Sequence, residues 1–344
     1  MMLMVAAGPR VTIVVPTFER PAYLDECLSS VKGQTYIDYQ VVVLDNASAT
    51  SYAPVLARHK GLPIRYVRNR VNIGSSRNIA KAFVDYRESE YLLVFHDDDL
   101  MHPRMLEWQV ALLDADLGLR FVGCEYESFS DDMPRLDGAW PSSRPKVTIH
   151  PDAASLARYL LAGDGVCLSS VLYRTEALEA VALDFARFNM YWDRPFLLDI
   201  AGLGSCAVMN GPLVRYRVHS AQDSKSDALR ASNLLELMRS YRDALGGANV
   251  GKRDREVFLK RSAWILAVGY GRLSDAHRPG LADYLRRTRA EGLLRLRDLT
   301  ASEWSALLRG SGHAWLPDAG VAARNFIKCH LGRAARDPLA AGDP

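Results

Sequence analysis

The chain has 344 residues, 49% of them hydrophobic and 24% charged, with a formal net charge of +3. This is an ordinary globular balance, with room for one large domain or two to three smaller ones, and the charge is too small to argue for nucleic acid. The five cysteines, Cys27, Cys124, Cys167, Cys206 and Cys329, are odd in number and form no C-x-x-C pair, which argues against a disulfide framework or a structural zinc site and favours a reducing compartment.

The opening MMLMVAAGPR lacks the basic stretch and the length of a signal peptide, and no apolar run approaches a membrane span. The expected location is the cytoplasm. Residues 11–16, VTIVVP, form a continuous β-branched run and predict a buried strand. RPAYLDECLSSVKGQ follows with Leu24, Cys27, Leu28 and Val31 at helical spacing, Pro21 suited to an early helical position and Gly33 to a terminator. YQVVVLDNAS is a second strand ending at Asp45, and LPIRYVRN a shorter third. SSRNIAKAFVDY predicts a helix with Ile79, Phe83 and Tyr86 on one side, and the apolar run from Tyr91 a fourth strand. Strand, helix, strand, strand, helix, strand predicts an α/β fold with a mainly parallel sheet covered on both faces.

Beyond Met105 the pattern is mixed. RMLEWQVALLDA predicts a helix, RFVGCEYESF a strand, DAASLARYLLAGDG a helix ended by glycine, and GVCLSSVLYR a strand. CAVMNGPLVRYRVH reads as a strand interrupted by a turn at Asn210 and Gly211. Residues 128–146 are rich in turn formers and read as a long loop, and from about Lys225 the chain is helical in character. Residues 285–299, LRRTRAEGLLRLRDL, are locally rich in arginine. The expected division is 1–104, 105–224 and 225–344.

Ligands of open α/β sheets bind beyond the carboxyl ends of the strands. Three predicted strands end in polar residues, Thr17, Asp45 and Asp97, which parallel pairing would bring to one edge. In YLLVFHDDDLMHP a buried strand runs into Asp97, Asp98 and Asp99. Neighbouring carboxylates repel, so a cation is expected among them. Their hard oxygens suit Mg²⁺ or Mn²⁺ and leave positions for phosphate oxygens; an acidic helix N-terminus is the alternative. Asp45 in VLDNASA can accept from a ring N–H or a ribose hydroxyl, or close its own loop in an Asx turn. In NRVNIGSSRNIAKAF, Gly74 permits close backbone approach, Ser75 or Ser76 can cap the helix, and the helix start favours an anion. Arg77 in that first turn opposes the helix dipole, which points to a diphosphate or base carbonyl as its partner, or to plain exposure. Asp193 in NMYWDRPFLLDIAG can act as a general base or as a helix cap with Pro195 in the first turn. Arg215, Arg217 and His219 alternate along VRYRVHSAQDS, an array suited to a phosphorylated ligand. GLGSCA precedes a strand rather than following one, the reverse of a dinucleotide fold, and no Walker A lysine motif is present.

Taken in order, VVPTFERPAYLDECLSSVKGQTY, VVVLDNASAT, NIGSSRNIAKA, FHDDDLMHP, YWDRPF and YRVHSAQDS resemble a bacterial family 2 glycosyltransferase, over roughly residues 11–224. The resemblance implies a GT-A-type nucleotide-binding α/β sandwich followed by a C-terminal α-helical region. It implies nucleotide-sugar contacts at Pro16, Thr17, Glu19, Asp45, Asn72, Arg77, Asp97 and Asp98, with Asp45 near the base and Asp97 near the ribose. The aspartate run resembles the family's D-x-D motif, which implies Mn²⁺ or Mg²⁺ on Asp98, with Asp99 sharing it if the motif is slid by one residue, and His219 approaching it. Asp193 takes the place of the catalytic aspartate, with Trp192 where the family usually has Glu. The implied activity is inverting transfer from a UDP- or dTDP-sugar to an acceptor hydroxyl, in surface polysaccharide or glycoconjugate synthesis. The implied acceptor is a glycan or a lipid-linked sugar. The arginine-rich stretch leaves peripheral membrane contact, a homodimer surface and a solvated face as open readings. Two rivals are a nucleotidyltransferase, whose glycine-rich loop after the first strand is missing from PTFERPAY, and a GT-A domain that binds sugar nucleotides or glycans without turnover.

Overall fold

The computed structural model describes residues 8–131, 139–163, 165–219 and 229–310. The leader reading at residues 1–7, part of the 128–146 segment, the end of YRVHSAQDS and the chain beyond 310 lie outside the described residues. In chain order the elements are β1 (Val11–Thr17), α1 (Pro21–Lys32), β2 (Tyr39–Asp45), α2 (Ala53–Arg58), β3 (Ile64–Arg68), α3 (Ser75–Asp85), β4 (Tyr91–Val94) and β5 (Leu100–Met101). Then come α4 (Met105–Ala115), β6 (Leu119–Phe129), β7 (Val147–His150), α5 (Ala153–Ala162), β8 (Leu172–Arg174), α6 (Phe185–Phe188), α7 (Asp193–Ala201) and β9 (Ser205–Arg217). The last four are α8 (Ala231–Ala244), α9 (Lys252–Gly271), α10 (Leu281–Ala290) and α11 (Ala301–Gly310). The described residues divide into two compact units. The first takes the chain up to residue 156, with 163–183 and 199–219; the second takes 157–162, 184–198 and 229–310.

All nine strands form one mostly parallel sheet in the first unit, in the order β3-β2-β1-β4-β8-β6-β9-β5, with β7 on β9. β3, β2, β1 and β4 run parallel. Their continuous apolar runs are those of strands buried on both faces: Val11, Ile13, Val14 and Val15 of β1 have no exposed surface. α1 buries the four residues at helical spacing, starts at Pro21 and stops at Gly33, whose N–H donates to the carbonyls of Ser29 and Ser30. Parallel register sets Thr17 level with Asp45, so the polar ends of β1 and β2 share an edge.

Four features differ from the sequence reading. α2 is an unexpected helix, whose six residues bury only Val55, too few for a period to show. β5 and β7 are short strands unforeseen from the sequence. In GVCLSSVLYR only the last three residues form a strand; Leu168–Ser170 make a 3₁₀ turn, because Ser170 Oγ donates to the Cys167 carbonyl at 2.8 Å and accepts from its N–H at 3.1 Å. No turn interrupts β9. Asn210 and Gly211 are extra residues in the pairing with β6, where Met209 is level with Cys124 and Pro212 with Glu125. This irregularity is held from the other side: Asn210 N–H donates to the Lys146 carbonyl at 2.8 Å and its amide to Thr148 Oγ1 at 2.9 Å.

The second unit is helical. α10 buries Leu281, Tyr284, Leu285 and Thr288, as an amphipathic helix should. Two of its arginines are paired within the unit, Arg286 with Asp283 and Arg287 with Glu291. α8 and α9 meet at Gly269, where a Cβ would lie 2.5 Å from Leu234 Cδ2.

Candidate active site

The aspartates follow β4 after Phe95 and His96 and are buried, with Asp97, Asp98 and Asp99 exposed by 3%, 5% and 0%. Each has its own partners. Asp97 Oδ2 accepts from Thr17 Oγ1 at 2.6 Å, and its Oδ1 lies 3.4 Å from Arg20 Nη1. The same Nη1 is 3.3 Å from Asp98 Oδ2, which also meets His219 Nε2 at 2.9 Å. Asp99 accepts from Ser169 Oγ at 2.6 Å and from the Arg217 backbone N–H at 3.0 Å. One guanidinium therefore serves two carboxylates, and Asp99 is held by neutral donors. Burial pushes the Asp97 carboxyl up to about 7, helped by the charge of Asp98 and opposed by Arg20 and Thr17. Burial and the neighbouring Asp98 also raise Asp99 well above the ordinary carboxylate range.

A buried acidic run with this little positive charge fits a divalent cation. His96, Asp98 and Asp99 each bring one donor atom within 4.8 Å of the others. His96 Nε2 is buried and has no hydrogen-bond partner among the described residues, an orphaned donor atom suited to a metal or a ligand. His96 directly precedes the aspartates, a signal the sequence reading passed over. Ser169 was missed because it comes from a distant turn; its Oγ accepts from His96 N–H at 3.1 Å and so joins His96 to Asp99.

The two arginines expected to face a phosphate do other work. Arg217 is 2% exposed, with its guanidinium 4.6 Å from the Tyr23 ring centre and 4.5 Å from that of Phe129. It pairs with Glu26 at 2.8 Å and with Asp131, and its Nε donates to the Asp98 carbonyl at 2.9 Å. Arg215 pairs with Glu127 at 2.8 Å and lies over the Trp140 ring at 4.2 Å. Of the alternating trio, His219 is the one whose side chain meets an aspartate carboxylate, at Asp98.

Asp45 is fully buried. Its Oδ1 accepts from Ser48 N–H at 2.9 Å and Ser48 Oγ at 2.6 Å, which is the loop-closing reading. Its Oδ2 accepts from Tyr66 OH at 2.7 Å and lies 3.2 Å from Arg68 Nε. Glu19, at φ +56°, holds the same loop through Thr50 Oγ1 at 2.6 Å and the Ala49 N–H; these bonds lower its carboxyl. Tyr52 OH, 1% exposed as a residue, lies 2.8 Å from Thr17 Oγ1 and accepts from Arg20 N–H at 3.1 Å, so Thr17 links this loop to Asp97. Asn72 Oδ1 accepts from Asn46 Nδ2 at 2.9 Å and from Gly74 N–H at 2.8 Å. α3 is capped by Gly74 at φ +83°, a backbone that favours glycine, and not by either serine side chain. Arg77 is exposed in its first turn, and Pro16 is half-buried beside Leu44.

Asp193 belongs to the second unit. It opens α7, its Oδ1 accepts from Arg194 N–H at 2.9 Å, and Arg194 Nε is 3.9 Å from its other oxygen. Trp192 before it is buried.

A parallel four-strand edge ending in Thr17, Asp45 and a buried acidic run gives the α/β unit a polar edge of the kind where such sheets bind ligands. Residues 12–147 match the model of glycosyl transferase family 2. Relatives include an uncharacterized glycosyltransferase of Rickettsia typhi, 22% identical over 269 residues, or 75% of this chain and 82% of that protein. The abequosyltransferase RfbV of Salmonella typhimurium is 23% identical over 201 residues, 55% of this chain and 60% of that one. Among solved structures, residues 1–349 of Staphylococcus aureus TarS in complex with UDP-GlcNAc superpose with a TM-score of 0.53 at 15% identity, covering 88% of this chain and 83% of that one. Over residues 12–147 the chain is similar to glycosyl transferase family 2, its fold is of GT-A type, and its relatives support a glycosyltransferase.

Proposed function

We propose that the protein is an inverting, metal-dependent transferase moving a sugar from a UDP- or dTDP-linked donor to a hydroxyl of a glycan or lipid-linked acceptor, in surface polysaccharide or glycoconjugate synthesis. The observation that carries this reading is the buried run of Asp97, Asp98 and Asp99 with Thr17, Arg20, His96 and His219 converging on it. The UDP-GlcNAc in the TarS complex makes UDP the first nucleotide to try.

Asp98 and Asp99, with His96 and His219 beside them, would hold Mn²⁺ or Mg²⁺. Such an ion, when bound, neutralises the carboxylates and stabilises negative charge on the leaving diphosphate. Thr17 and Asp97 orient the ribose end of the donor. Pro16, Glu19 and Asp45 shape the wall around the base, and Asn72 and Arg77 at the start of α3 face its diphosphate or base carbonyls. Asp193 takes the proton of the acceptor hydroxyl as that oxygen attacks the anomeric carbon and the nucleoside diphosphate leaves from the opposite face. In this scheme residues 1–104 bind donor, 105–224 shape the acceptor side and 225–344 form a helical region.

Release of UDP from UDP-sugars in the presence of Mn²⁺ and a glycan acceptor is the direct assay. Asp193→Asn is expected to lower turnover ~10²–10⁴-fold, the usual contribution of a general base, while donor affinity stays unchanged; full turnover in that variant removes Asp193 from the scheme. Asp98→Ala is expected to abolish Mn²⁺-dependent donor binding, and a normal Mn²⁺ response would remove Asp98.

A further inference from the structure

α9 has an inner face that buries Phe258, Leu259, Ala263, Leu266, Ala267 and Tyr270. Its outer face is not the uniformly polar one of an ordinary surface helix. Val257 is 42% exposed and Trp264 51%. They lie two turns apart on one line, which half-buried Val268 continues. At helical spacing, Arg253 and Lys260 flank this line on one side; on the other stand Arg261, which donates to the Ala162 carbonyl, and Arg272, which bonds the Tyr191 side chain. The nearby acids are already matched: Asp254 to Arg158 at 2.8 Å and Glu256 to Arg295 at 2.6 Å. Across residues 229–310 basic residues outnumber acidic ones by sixteen to nine.

We propose that α9 docks, lying flat, on an anionic lipid surface, with Trp264 at headgroup level and Arg253 and Lys260 against lipid phosphates. An apolar line bordered on both sides by cations is the pattern of a helix in the plane of a membrane interface, where tryptophan rings concentrate. The line is narrow beside the roughly 800 Å² per partner of a standard protein interface. No helix among the described residues is long and apolar enough to cross a membrane. The arginine-rich stretch at 285–299 contributes less than its composition suggests: Arg286, Arg287 and Arg295 are paired with Asp283, Glu291 and Asp298. The inference rests on α9 and its charges, not on the donor chemistry.

The experiment is co-sedimentation of the full chain, without donor, with vesicles of phosphatidylcholine alone or with about a third phosphatidylglycerol; UDP release is assayed in parallel. Sedimentation with anionic vesicles only is expected, reversed by high salt. Trp264→Ser, which changes an exposed side chain, should keep the wild-type melting temperature and bind at least about fivefold more weakly; Arg253→Gln and Lys260→Gln should each cost about fivefold. No sedimentation, or sedimentation indifferent to these substitutions, overturns the proposal while leaving an active transferase intact. A concentration-dependent dimer that Trp264→Ser dissociates, without vesicle binding, assigns the face to a second copy and overturns it equally.

Discussion

Arg217 shows how much of the acidic site is held by a residue that need not touch substrate. Its backbone N–H holds Asp99, its Nε holds the Asp98 carbonyl, and its remaining donors are anchored on Glu26 and Asp131 between two aromatic rings. It is a positioning residue for the aspartates. Arg217→Met is expected to raise the Mn²⁺ concentration needed for half-maximal rate and to lower kcat, because small misplacements of reacting groups are costly; Arg217→Lys should recover part of the metal response. Steady-state kinetics at varied Mn²⁺ read this, and an unchanged metal requirement in the methionine variant contradicts it. Asp97 gives a pH signature. Its folded carboxyl is raised to about 7 from an ordinary value of 3.8, so between these values the native state binds the proton more firmly than the unfolded chain. Its contribution to stability therefore falls as pH rises through that window. In EDTA, the melting temperature of Asp97→Asn relative to wild type should climb from pH 5 to pH 8. The comparison cancels His102 and His150, whose burial lowers them. A melting temperature of the variant, relative to wild type, that falls from pH 5 to pH 8 contradicts the assignment.

At the scale of elements, what could be read from sequence followed length and burial. β1, β2 and β4 announce themselves because strands buried on both faces carry unbroken apolar runs, and α1 and α3 because they are long enough to show a helical period. α2 and β5 are too short for any period. β9 reads as broken because Asn210 and Gly211 are turn residues, and only the presence of β7 explains why the strand continues through them. Partners supplied by distant elements, such as Ser169 and Tyr52, leave no mark in a local motif, whereas Thr17, Asp45 and the aspartates stand at predictable strand ends. The helical unit makes its own prediction. At Gly269 a methyl group would lie 2.5 Å from Leu234 Cδ2, so Gly269→Ala should destabilise the α8 and α9 packing by about 1–3 kcal/mol, the usual cost of overpacking. Urea unfolding reads this, and adding Leu234→Ala should recover part of the loss. A Gly269→Ala variant as stable as wild type shows that this contact has slack.

For the whole molecule, the link from sequence to chemistry is the parallel half of the sheet. Apolar strands pair in parallel because helices cover both faces, parallel pairing sends their polar ends to one edge, and that edge collects acids that are costly to bury without a cation. The same burial that raises Asp97 and Asp99 makes the site ready for positive charge. The central claim is that a divalent ion and a donor's diphosphate meet at this edge. Calorimetric titration of UDP into the protein, with Mn²⁺ and then with EDTA, addresses it most directly. Mn²⁺ is expected to tighten UDP binding by at least about tenfold, or roughly 1.4 kcal/mol, and Asp98→Ala to remove the gain. Equal UDP affinity with and without the metal would contradict it.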